Sequence, residues 1–197
     1  MGRSGGQRWG KAYMAVEKLA VAAGLAIALA CSVAAPANAR SAQRAPRGKP
    51  PSGIEFLIRS MQGHLAGVRL GELAQKKGQN EGLRAFGEEL VADHKEANQA
   101  AAAVAANLKV APPREPGPRH QGQYALLSGF SGAAFDRQFL NYVLMNDTRA
   151  MVDYQRATGR KGEVADYAKE TLPMVQRHLR QGEKLMRTLR WTGEQRK

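Results

Sequence analysis

Residues 80–108 read NEGLRAFGEELVADHKEANQAAAAVAANL. Leu83, Phe86, Leu90, His94, Ala97, Ala101, Val104 and Leu108 recur through this run every three or four positions, which places them on one face of an α-helix. Asn80 offers a side-chain acceptor to the first turn. Pro112, Pro113, Pro116 and Pro118 stop the pattern, because proline brings no amide hydrogen and restricts the residue before it. No segment sustains period-two alternation, so the chain is predicted to be all-α.

The same periodicity appears on either side. Before it, Ser52 is a good N-cap for Ile54, Ile58, Met61, Leu65 and Val68, and Gly78 closes that helix. After the prolines, Ser131 precedes a third run with Phe135, Phe139, Leu140, Val143, Leu144, Met151 and Tyr154 on its apolar face. Gly159 and Gly162 bracket the next turn, and the fourth run carries Val164, Tyr167, Ala168, Leu172, Val175, Leu179, Met186 and Leu189. Pro173 lies inside it and predicts a kink. Two tight hairpins joined by a non-helical or briefly helical connection over 109–130 predict a ferritin-like four-helix bundle over 52–190, with one long crossover between the second and third helices.

The chain has 197 residues, one cysteine and a formal charge of +13. Lone Cys31 excludes an intramolecular disulfide framework and any cysteine-rich metal site. Residues 1–39 have the order of a secretory signal: Arg3, Arg8, Lys11 and Lys18 against Glu17, then LAVAAGLAIALA at 19–30, then Ala37-Asn38-Ala39. The apolar run is 12 residues long, short of the roughly 20 that span a bilayer. Cleavage after Ala39 is expected, giving a periplasmic or secreted chain from Arg40 without a transmembrane helix. Lipoprotein processing at Cys31 is the alternative route.

Much of the charge sits at the ends. Residues 40–51, read as a basic, Pro-rich disordered linker, hold Arg40, Arg44, Arg47 and Lys49 without an acid. The tail over 191–197 follows Arg187 and Arg190 and ends on Arg196 and Lys197. Such ends either touch an anionic envelope surface by screened attraction or serve solubility alone. Aromatic residues are 6% of the chain, too few to interleave with the basic positions as single-strand binders require, so no specific nucleic-acid binding is expected.

Chemistry-bearing residues interrupt the apolar faces at His94, Asp147 and His178, and the hairpin register puts His64 level with His94. Two imidazoles and a carboxylate can hold a zinc or iron ion with open positions. Core histidines hydrogen-bonded to neighbours are the first reading, and it needs no cofactor. The chain has no Glu-x-x-His, so a standard di-iron carboxylate centre is not expected. His120, in the proline-rich connection, is expected to face solvent. Gly-x-Ser-x-Gly, a Walker loop and a dinucleotide fingerprint after a strand are all absent.

The order of LGELA at 70–74, LVADHKEAN at 90–98, Gly132 with FDRQFL at 135–140, and LPMVQRHL at 172–179 resembles the exported bacterial family catalogued as domain of unknown function 4142. The resemblance implies a ferritin-like bundle of the periplasm or outer membrane and no established activity. His94 and His178 match its two most recognisable histidines. Gly67 stands where the family pattern has an acidic residue, and Asp147 where it has a histidine. The leading functional expectation is an exported, non-enzymatic cell-envelope bundle with a binding, structural or stress-related role. The alternative is a metal-binding protein or metal-dependent oxidoreductase with a His/Asp site in the bundle core.

Overall fold

The structure is a computed structural model that describes residues 52–194, with side chains as far as Leu189. Residues 1–51, with the expected signal peptide, Cys31 and the expected linker over 40–51, and the last three residues lie outside the described residues. The described residues form five α-helices and no strand: α1 Gly53–Lys77, α2 Glu81–Asn107, α3 Pro118–Ser128, α4 Gly132–Thr158 and α5 Glu163–Glu194. None of them is long and apolar enough to cross a membrane.

Local chemistry sets the helix starts. Ser52 and Glu55 form a reciprocal capping box on α1, and the Asn80 side chain accepts from Leu83 N–H at the head of α2. Ser131 occupies the N-cap of α4, but its hydroxyl makes no capping bond. The following residue, Gly132, has φ +56°, a left-handed turn that only glycine enters cheaply. α5 runs unbroken through Pro173 and continues to Glu194, four residues beyond the bundle end expected at residue 190.

α1 pairs with α2 and α4 with α5; the two pairs meet mainly through α2 against α5 and α1 against α4. The first pair is tight because glycines face each other: a Cβ at Gly71 would lie 2.5 Å from the Gly87 carbonyl oxygen. Of the two alternatives for the connection over 109–130, the briefly helical one is found, as the 11-residue α3. Pro118, taken as a breaker, stands in the first turn of α3, where its missing N–H costs nothing. Lys77 Nζ donates to the Ser128 and Phe130 carbonyls, holding the end of α3 to α1.

The core has two apolar clusters. One joins α1, α2, α4 and α5 through Leu70, Leu83, Phe86, Phe135, Phe139 and Met186. The other holds Phe56, Met61, Ala101, Tyr154, Tyr167 and Val175. Along each long helix one polar residue falls between the positions given to the two clusters: His64 on α1, His94 on α2, Asp147 on α4 and His178 on α5. The four positions singled out in the sequence thus form a polar layer at mid-height.

Candidate functional site

The layer starts on α1, where Ser60 and His64, one helical turn apart, point inward together. His64 Nε2 lies 2.6 Å from the Tyr167 hydroxyl and 3.1 Å from that of Tyr154, and Ser60 Oγ bonds to both tyrosines. His64 Nδ1 is 3.0 Å from His94 Nδ1. A neutral imidazole carries one donor and one acceptor, so this bond needs the proton on one ring only. His94 can sit here because α1 has no side chain at residue 67. A Cβ on Gly67 would lie 2.1 Å from His94 Cδ2. The departure at Gly67 is therefore the space His94 fills.

His178 is the next ring, with its centroid 5.3 Å from that of His94 and its edge against Phe86. Its Nε2 donates to Asp93 Oδ2 at 2.7 Å. Arg177 fixes that carboxylate at 2.5 Å and also bonds Glu89 at 3.1 Å; Gln181 donates to the second Glu89 oxygen. With Nε2 protonated, His178 Nδ1 is a bare lone pair, and it is buried without a partner.

Asp147 is 6% exposed, and its Oδ2 is also buried without a partner. Its other oxygen accepts only a long bond from Asn146, at 3.4 Å. Burial pushes this carboxyl up to about 7 from an ordinary 3.8. A void of about 20 Å³ is lined by Asp147, His94, Gly67, Tyr142 and Asn146, large enough for one water or ion. A larger cavity of about 220 Å³ reaches His64, His94 and Asp147 from the surface.

The three imidazoles are neutral at pH 7. Burial and the neighbouring His178 hold His64 down at about 3, burial and its two histidine neighbours lower His94 well below 6.5, and burial lowers His178 despite Asp93. Neutral imidazoles offer lone pairs, as metal ligation requires.

The structure brings His64, His94 and His178 into one row and places Asp147 on the void that His94 also lines. Among the described residues, the three groups whose ligand atoms already lie within 4.8 Å of one another are Glu89, Asp93 and His178. That set was not read from the sequence. Arg177 bridges both of its carboxylates and His178 spends its proton on Asp93, so it acts as an ion-pair network that orients the His178 ring. His120 corrects the expectation of a solvent-facing side chain: it is half-buried, with Nδ1 2.8 Å from the Tyr142 hydroxyl. Asp93, Ser60 and the two tyrosine hydroxyls were missed as functional groups. The available signals were the i, i+4 spacing of Ser60 and His64, and the acid beside His94 in the chain.

Comparison with known proteins places this arrangement on a shared fold. A crystal structure of a DUF305 fragment from Deinococcus radiodurans is similar over 69% of this chain and 95% of that chain, with TM-score 0.62 and 17% identity. That level of identity speaks for the fold alone. No curated protein matches the chain. The family described as domain of unknown function (DUF4142) matches residues 36–185, including all five of the residues Gly67, His64, His94, Asp147 and His178. The chain belongs to this DUF4142 family.

Proposed function

We propose that the protein is an exported binding protein of the cell envelope, a ferritin-like four-helix bundle with α3 inserted in its long crossover. Its ligand is a zinc or iron ion held by His94, His178 and Asp147, with His64 behind His94. The supporting observation is that two of the three proposed ligands carry buried polar atoms without a partner, His178 Nδ1 and Asp147 Oδ2; among the described residues the third such atom is Gln181 Oε1, on the Glu89 side of the network. A buried polar atom without a partner costs about 1–3 kcal/mol; one cation beside His94 would relieve both once the donor atoms of His94, His178 and Asp147 close up around it, since among the described residues only Glu89, Asp93 and His178 already lie within 4.8 Å of one another.

The donor chemistry fits. Two neutral imidazoles and a carboxylate suit zinc or iron, and a carboxylate on the far nitrogen of a ligating histidine is the usual way its ring is oriented, as Asp93 orients His178. The core-histidine reading accounts for His64, whose two nitrogens both have partners; it leaves His178 and Asp147 unexplained. A bound ion would act as a Lewis acid, but the missing Glu-x-x-His pairs favour binding over di-iron oxidation.

Elemental analysis of protein prepared without a histidine tag tests the proposal. The expected result is stoichiometric zinc or iron, lost in His94→Ala, His178→Ala and Asp147→Ala. A metal-free protein, with variants that change only stability, would contradict it. Export is tested separately by intact mass: the envelope fraction should yield a chain beginning at Arg40.

A further inference from the structure

The cavity of about 220 Å³ reaches the polar layer but has more lining than an ion needs. At roughly 30 Å³ per water it has room for about seven, the scale of a small metabolite. Five helices border it, and its charge is uneven. Arg59 of α1, Arg119 of α3 and Arg149 of α4 line it and are exposed at its mouth. Arg69 and Arg177 are paired with carboxylates elsewhere, whereas none of these three has an acidic partner among the described residues. The acids in the lining are Asp153, which pairs with Arg156 at 3.6 Å, and Asp147. One wall is apolar, made by Phe56, Ala150, Met174 and Val175.

We infer that this cavity binds a small organic carboxylate, with the carboxylate on Arg59, Arg119 and Arg149 and the hydrocarbon body against Phe56, Met174 and Val175. Guanidinium forks match the two oxygens of a carboxylate, and three unpaired ones at a cavity mouth attract an anion inward. The apolar wall selects an organic body over a bare inorganic anion, which would gain nothing from it. α3 is essential to the arrangement, since it supplies Arg119. The inference does not depend on the ion, because the arginine rim and the apolar wall contain none of the proposed metal ligands.

Calorimetric titration of the chelator-treated mature chain with benzoate tests it, with benzyl alcohol as the uncharged analogue and inorganic phosphate as the bare anion. Saturable one-to-one benzoate binding is expected, with methyl resonances of Ala150, Met174 and Val175 shifting as it saturates. Replacing Arg119 and Arg149 together by Gln should weaken binding at least tenfold; both are exposed, so the melt should be unchanged. Absent binding, equal binding of benzyl alcohol, tighter binding of phosphate, or insensitivity to the double variant would each overturn the inference. So would benzoate binding that appears only after zinc is added, since the anion would then be a metal ligand. Failure of the metal proposal shows instead in the elemental analysis.

Discussion

α4 buries two carboxylates at different levels, and the molecule treats them oppositely. Asp136, beside the turn between α1 and α2, is 1% exposed and accepts the Gln79 and Asn80 backbone N–H groups at 2.9 and 2.8 Å. Asp147, eleven residues on in the polar layer, has one long bond and one orphaned oxygen. The first carboxylate is finished by the protein itself and ties two helix pairs together. The second is left incomplete on a void that His94 also lines. Asp136 is complete without a ligand, and under the proposed function the unfinished Asp147 is where an ion would be received.

Asp136→Ala should be the most damaging change, because it strands two backbone donors and removes two charge-assisted bonds worth about 1.5–3 kcal/mol each. A loss of roughly 3–5 kcal/mol in denaturant melts is expected. A loss below about 1 kcal/mol would remove the contrast with Asp147.

Asp147→Asn should act in the other direction in chelator-treated protein. The native carboxyl keeps its proton up to about 7 while the unfolded one releases it near 3.8, so its presence lowers stability progressively as pH rises through that window, and the loss stays constant above it. The Asn variant should therefore be more stable at pH 8 by roughly 2–4 kcal/mol, with the gain fading towards pH 4. His64 gives the opposite slope. It stays neutral in the fold down to about 3 but protonates near 6.5 when unfolded, so stability falls as pH drops below 6.5. A pH-independent effect of Asp147→Asn would sink the reading of Asp147 as a desolvated acid.

Gly67→Ala probes the space between α1 and His94 and should cost about 1–3 kcal/mol through overpacking. It should also displace the His94 ring, which the imidazole resonances would report. An unshifted ring would show that Gly67 does not set the position of His94.

Much of the contrast was written in helical spacing. The steps from Leu83 to Leu108 placed His94 on the buried face, and the same reasoning put His178 and Asp147 inside. α3 was legible only as an open alternative, because four prolines within seven residues look like a breaker although Pro118 is harmless at a helix start; His120 in that connection was misplaced. The roles of Asp93 and Asp136 were not legible for a different reason. Each carboxylate meets partners more than fifty residues away in the chain, so only the packed structure shows which is satisfied. The orphaned atoms of His178 and Asp147 are likewise a property of packing.

The central claim is tested most directly by the zinc-edge anomalous map of crystals of the chelator-stripped protein soaked in zinc. The account predicts one strong peak in the polar layer, about 2.0–2.2 Å from imidazole nitrogens of His94 and His178 and from a carboxylate oxygen of Asp147. A peak between Glu89 and Asp93 with Arg177 displaced, or no peak near these residues, would contradict it.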